Sequence, residues 1–212
     1  MAAATSSPDA QRRDLVRLLA ARGVSGAAVL DAMASVPREA FVAEGLADRA
    51  YADSPLPIGG GQTISQPQMV AVMTEALELR PSDRVLEVGT GSGYAAAVLA
   101  RVAGEVHTVE RDARLATTAR DRLKRPGYEN VAVRHGDGSE GWPGHAPYDA
   151  VVVTAAPARL PPALLSQVAV GGRLVAPVGP QGGDQSLVRV RRLGEDEYTE
   201  EDLGPVRFVP LT

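Results

Sequence analysis

The chain has 212 residues, 44% hydrophobic and 23% charged, with a formal net charge of −4. That length suits one α/β domain with modest additions, and the mild acidity without any Lys/Arg-rich block argues against a nucleic-acid partner. With no cysteine, disulfides and thiolate metal sites are excluded, and His107, His135 and His145 lack metal-ligand spacing, so no metal is expected.

Residues 1–8, rich in Ala and Ser, read as a disordered tail. MAAATSSPDAQRRD has no apolar run behind its basic residues, so no secretory signal is expected. Nor does any run approach the ~20 apolar residues of a membrane span. A cytoplasmic protein is expected. Leu15, Leu18 and Leu19 recur at helical spacing over residues 9–22, with Gly23 as a stop. Ser25 is expected to cap a second short helix carrying Val29, Leu30 and Met33 and ending before Pro37. These helices have no place in a nucleotide-binding sheet and are expected as an added layer on the substrate side.

The stretch 51–68, YADSPLPIGGGQTISQPQ, predicts an irregular loop, because Pro55 and Pro57 lack amide donors and Gly59 to Gly61 are costly to order. Long ordered loops of this kind are more often functional than decorative. Val70, Met73 and Leu77 then fit a helix over about residues 66–79, with Ser65 at its expected N-cap and Pro67 in the first turn.

The centre of the chain is RVLEVGTGSGY, residues 84–94. Val85, Leu86 and Val88 predict a buried strand, after which Gly89, Gly91 and Gly93 turn the chain into an alanine-rich helix near 92–103. Such a turn lets a ligand lie close to peptide groups at a helix start. Glu87, two residues ahead of the first glycine, would repel a pyrophosphate and suits a ligand bearing an ammonium and hydroxyls, such as S-adenosylmethionine. A second strand, 105–110, ends in Glu110, which follows Gly89 by 21 residues. A ribose-binding acid is expected at roughly 20 residues in a βαβ unit.

A helix near 112–124, a strand at 131–134 running into His135-Gly136-Asp137-Gly138, a strand at 148–153, a helix near 161–168 and a strand at 173–178 complete the pattern. Strands alternating with helices predict an α/β, doubly wound, mostly parallel Rossmann-like sheet, with ligands outside the carboxyl ends of the strands. Residues 187–190 and 206–209, separated by the acidic turn GEDEYTEED, predict an antiparallel closing segment. A single domain over 9–212 is expected: N-terminal helices and substrate loop (9–80), cofactor-binding core (81–183) and closing segment (184–212).

Several stretches now coincide: VPREAFV (36–42), DSPLPIGGGQTISQPQMV (53–70), LEVGTGSGY (86–94), GDG (136–138), YDAVVVTAAP (148–157), GGRLVAPVGP (171–180) and VRFVPLT (206–212). On these the chain resembles the protein-L-isoaspartate (D-aspartate) O-methyltransferases from about residue 10 to 212, with QTISQP as the specific segment. The resemblance implies methyl transfer from S-adenosylmethionine to an isoaspartyl carboxylate in a protein or peptide, and repair through a succinimide. It implies Ser65 as the catalytic hydroxyl, with Thr63 and Ile64 lining the junction of cofactor and substrate. Glu87, Gly89, Thr90, Gly91 and Ser92 would border the cofactor's methionine half. Glu110 would hold its ribose, Asp137 and Gly138 its adenine edge, and Thr212 would lie near it. Pro57, Ile58, Gly60, Gln62 and Gln68 would form the substrate loop. A monomer with no nucleic-acid, membrane or metal partner is expected.

Two positions depart from the family pattern. Gly60 stands where a larger residue is usual, and Gln68 where Tyr, Phe or His is usual. Lost bulk facing the substrate motivates a second expectation: an enzyme that esterifies an ordinary aspartate in one dedicated ribosomal peptide, driving it to succinimide or isoaspartate.

Overall fold

A computed structural model describes residues 7–211. Ser7, whose Oγ accepts from the Ala10 N–H, and Pro8 at the first helical position start α1 (Pro8–Ala21), which buries Leu15 and Leu19. Of the expected tail, residues 1–6 lie outside the described residues, and residues 7 and 8 belong to this helix start. The next helix, α2 (Ala27–Ser35), is capped by Gly26 and not by Ser25 as expected. The carboxylate of Glu75 does the capping work instead: its Oε1 accepts from the N–H groups of Ser25 and Gly26 at 2.7 and 2.5 Å.

After two 3-10 turns, Arg38–Phe41 and Glu44–Arg49, comes a hairpin where an irregular loop is expected. Strands β1 (Leu56–Gly59) and β2 (Gln62–Ile64) pair antiparallel, Leu56 opposite Ile64 and Pro57 opposite Thr63. The glycines that argue against order supply the turn itself, since Gly59, Gly60 and Gly61 all adopt positive φ (95°, 58° and 72°). A two-stranded ribbon has free edges, where a proline without an amide is tolerated. Helix α3 (Pro67–Ala76) has Gln66 as its N-cap, so Ser65 stands one residue outside the helix and is not its cap.

The main sheet is built from β3 (Arg84–Val88), β4 (Glu105–Glu110), β5 (Val131–His135), β6 (Tyr148–Val153), β7 (Val168–Val178), β8 (Gln185–Arg192) and β9 (Tyr198–Val206). Helices α4 (Tyr94–Leu99), α5 (Ala113–Leu123) and α6 (Pro162–Ser166) are interleaved with its parallel strands. The order is β5-β4-β3-β6-β7-β8-β9, parallel through β7 and antiparallel for β8 and β9. This is the expected α/β, mostly parallel sheet. The chain leaves β3 for β4 and β5, then returns to β6 on the other side, so a topological switch lies between β3 and β6. Alternation along β3 divides the core: Val85 packs with Leu19, Met33, Phe41 and Tyr94, while Leu86 and Val88 pack with Tyr148, Val151 and Leu174.

The closing segment is antiparallel as expected, but its last strand begins earlier, inside the supposed acidic turn. Glu200, Glu201 and Asp202 lie opposite Val190, Arg189 and Val188, and Arg189 pairs with Glu201 at 2.6 Å. An outermost strand is solvated and discourages further pairing with charge, so it lacks the apolar alternation by which an inner strand is read. Residues beyond β9 then return to the switch point, where Ala156 donates to Val209 O at 2.7 Å and Leu211 donates to Ala156 O at 2.9 Å.

Candidate active site

At the carboxyl ends of β3, β4 and β6 lies a cavity of about 280 Å³, lined by Gly89, Gly91, Glu110, Asp112, Gly138 and Thr154 among others. Glu110 ends β4 with both carboxylate oxygens held by backbone: Oε2 accepts from the Gly91 N–H at 2.8 Å and Oε1 from the Asp112 N–H at 2.9 Å. Each oxygen keeps a further lone pair, which suits a ribose diol as donor. Gly89 (φ 97°) has no room for a side chain, because a Cβ there would collide with Thr154 Oγ1. That hydroxyl lies 2.7 Å from Gly89 O and 3.0 Å from Val88 O, so the end of β6 clamps the glycine turn. Gly89→Ala is therefore expected to cost about 1–2 kcal/mol from the left-handed backbone alone. It should also weaken S-adenosylhomocysteine binding, as a thermal melt with and without that ligand would show.

Behind the turn, Glu87 is fully buried. Its Oε2 accepts from the Thr108 hydroxyl, its neighbour across β3 and β4, and Thr108 in turn contacts the Thr90 hydroxyl. Its Oε1 has no partner among the described residues. Burial pushes the carboxyl up to about 8, so at neutral pH Glu87 is mostly the uncharged acid. Thr90 and Ser92 are buried beside it. Asp137 caps the turn at 138–140, its Oδ1 accepting from the N–H and hydroxyl of Ser139, and these bonds hold it below the usual carboxylate range. Thr212 lies outside the described residues, while its neighbour Leu211 lines the cavity.

A second, larger cleft of about 920 Å³ adjoins the first. Thr63 and Thr154 line both, and Ser65 lines the larger one together with Pro55, Met69, Arg207 and Phe208. Ile64 and Ser65 also border a small pocket against Gly89, Thr90, Gly91 and Ser92, which brings the QTIS segment onto the glycine turn. The Ser65 backbone is pinned, since Arg38 Nη2 donates to its carbonyl at 2.7 Å, and its hydroxyl has no protein partner among the described residues.

The substrate-loop residues divide. Gly60 and Gln62 line the smaller cavity, and a Cβ on Gly60 would stand 3.1 Å from Asp112 Oδ2. Ile58 lies against the glycine turn, its Cδ1 3.2 Å from where a Gly91 Cβ would be. Pro57 pairs with Thr63 in the ribbon. Gln68 does not line the larger cleft: its Oε1 accepts from Arg22 at 2.6 Å and its N–H donates to Asp53 at 3.0 Å.

Two residues of the site go unassigned in the sequence reading. Thr154 is visible there only as the residue that follows a predicted strand. Arg38 sits in the VPREAFV motif, and nothing in its sequence neighbourhood announces burial. In the structure it is fully buried, donating from Nε to Ala50 O at 2.8 Å and stacking 4.6 Å over the Tyr94 ring.

A glycine turn after the central parallel strand, an acid ending the next strand, and a ligand cavity at the switch point define a class I S-adenosylmethionine-dependent methyltransferase. The residues fit that cofactor: Glu110 lines the cavity and has lone pairs for the ribose, while Glu87 is buried behind the turn and lines neither cavity. The chain belongs to the protein-L-isoaspartate (D-aspartate) O-methyltransferase family, whose sequence profile matches residues 10–212. It is 62% identical over 193 residues to protein-L-isoaspartate O-methyltransferase 2 of Pelobacter propionicus, covering 91% of this chain and 86% of that one. It is 60% identical over 204 residues to protein-L-isoaspartate O-methyltransferase 1 of Geotalea uraniireducens, covering 95% and 93%. A solved protein-L-isoaspartate O-methyltransferase superposes with a TM-score of 0.83 at 30% identity, over 94% of this chain and 65% of that one. The Plasmodium falciparum beta-aspartate methyltransferase in complex with S-adenosyl-L-homocysteine gives 0.82 at 25% identity, over 95% and 98%.

Proposed function

We infer that this chain transfers a methyl group from S-adenosylmethionine to the carboxylate of L-isoaspartyl residues in proteins and peptides, initiating repair through a succinimide. The observation that carries the reading is the unpartnered Ser65 hydroxyl at the junction of the larger cleft with the glycine turn. A carboxylate of pKa about 4 is ionised at neutral pH, so the chain needs no general base. When bound, S-adenosylmethionine supplies a methyl group on a sulfonium and departs as S-adenosylhomocysteine. Ser65 donates to one oxygen of the target carboxylate and orients the other toward the cofactor cavity, while Arg38 keeps the Ser65 backbone from moving. Glu110 and the backbone at Gly91 hold the ribose side, the buried Glu87–Thr108–Thr90 chain backs the methionine side, and Gly138, in the turn that Asp137 caps, borders the adenine side. Thr63 and Thr154 form the wall shared by the two cavities.

The dedicated-peptide alternative is not favoured. It rested on lost bulk at Gly60 and Gln68, yet Gly60 lies over Asp112 and Gln68 is engaged by Arg22, and neither lines the larger cleft. We further propose that the enzyme acts as a cytoplasmic monomer; no described helix is long and apolar enough to cross a membrane.

The test is methyl transfer to a matched pair of short peptides, one with isoaspartate and one with aspartate at the same position. Transfer confined to the isoaspartyl peptide is expected. Transfer to the aspartyl peptide, or to neither with S-adenosylhomocysteine bound, overturns the reading.

A further inference from the structure

The larger cleft is wide enough for several residues of an extended peptide, and its lining is almost wholly uncharged. Its walls are Pro55, Thr63, Ser65, Gln66 and Met69 on one side and Gln181, Gly182, Gly183, Gln185 and residues 205–210 on the other. Arg207 is the one charged residue among them. It lies just beyond β9, where the chain turns back toward the switch point, and its side chain is exposed. No hydrogen bond or ion pair engages it among the described residues, in contrast to Arg189 on β8, which is paired with Glu78 and Glu201. A cation with no internal partner in an otherwise neutral peptide cleft is available to the ligand.

We propose that Arg207 is a specificity-determining residue, selecting isoaspartyl sites that carry an acidic side chain close to the damaged residue. The inference rests on the isoaspartyl methyltransferase reading above and adds the sequence context of its substrate. The guanidinium is exposed at the cleft wall, so its attraction for a peptide carboxylate is the modest one of a partly exposed pair. The rest of the chain sharpens the contrast, because a net charge of −4 gives an acidic peptide no general attraction. The preference is local to Arg207, so it reverses with the charge at that position.

The test uses three isoaspartyl peptides that differ only in carrying Glu, Gln or Lys on both sides of the isoaspartate. For the wild-type enzyme, kcat/KM for the Glu peptide is expected to exceed that for the Lys peptide about three- to tenfold. The gap should narrow in 0.5 M salt, as it does for partly exposed charges. Arg207→Gln should bring the ratio close to one, and Arg207→Glu should invert it in favour of the Lys peptide. Equal kcat/KM for all three peptides with wild-type enzyme overturns the proposal, and so does an acidic preference that survives in Arg207→Glu. Turnover of the Gln peptide by wild type keeps the methyltransferase reading standing in either case. Silence on all three peptides overturns that reading and this inference with it.

Discussion

Ser65→Ala is expected to lower kcat on an isoaspartyl peptide about 100-fold while leaving the affinity for S-adenosylhomocysteine within about twofold. A lost hydrogen-bond donor that acts on the reacting group typically costs 10²–10³ in rate. The lower figure applies here because the target carboxylate is already a nucleophile and needs orientation more than activation. The structure makes this variant a clean probe. Gln66 and not Ser65 caps α3, so no helix cap is lost. The Ser65 carbonyl keeps its bond to Arg38, and among the described residues the hydroxyl has no partner to lose. Isothermal titration with S-adenosylhomocysteine alongside steady-state kinetics separates the two effects. Parallel loss of binding and turnover would mean that Ser65 serves the architecture of the loop instead of the reaction.

The second large effect concerns stability and pH. In the folded chain burial pushes the Glu87 carboxyl from the ordinary 4.5 up to about 8, against the opposing pull of the Thr108 hydroxyl and with a lesser push from the nearby Glu110 carboxylate. A group whose folded pKa is raised contributes its full stability below the unfolded pKa and loses it as pH rises through the folded value. Unfolding stability should therefore decline between about pH 4.5 and pH 8. The gap sets an upper bound of ~5 kcal/mol. Glu87→Gln replaces the neutral acid with a neutral amide of similar shape and removes this titration. Denaturant unfolding at pH 5.5 and pH 8.5 checks it: the stability of the variant relative to wild type should rise by about 2–4 kcal/mol from the lower pH to the higher. Parallel pH profiles for the two proteins would show that Glu87 does not titrate in this range.

Periodicity made the inner strands legible. Val85, Leu86 and Val88, or Val151 to Val153, are apolar because both faces of a parallel sheet are covered, and that requirement is written into consecutive residues. The elements that went astray obey other rules. Three glycines in a row signal an irregular loop to a local reading, yet they form the turn of the β1–β2 ribbon. Glu200 to Asp202 signal a turn, yet they form the solvated outer strand, held by Arg189 from the strand beside it. Ser25 and Ser65 have the right chemistry for caps. One lost the role to a carboxylate fifty residues away, and the other stands one residue too early.

By itself the sequence determined the sheet's class, the glycine turn and the spacing from Gly89 to Glu110, because these depend on residues close together along the chain and on the backbone they permit. The tertiary structure alone decided which way the side chains serve the site. It buried Glu87 with an unpaired oxygen, threaded Arg38 beneath Ser65, and set the Thr154 hydroxyl against Gly89. It also left the two departing positions, Gly60 and Gln68, out of the lining of the larger cleft and Arg207 within it. The physical reason is range. Hydrogen bonding, desolvation and charge act over a few ångströms of space, and only the folded chain brings residues distant in sequence within that reach.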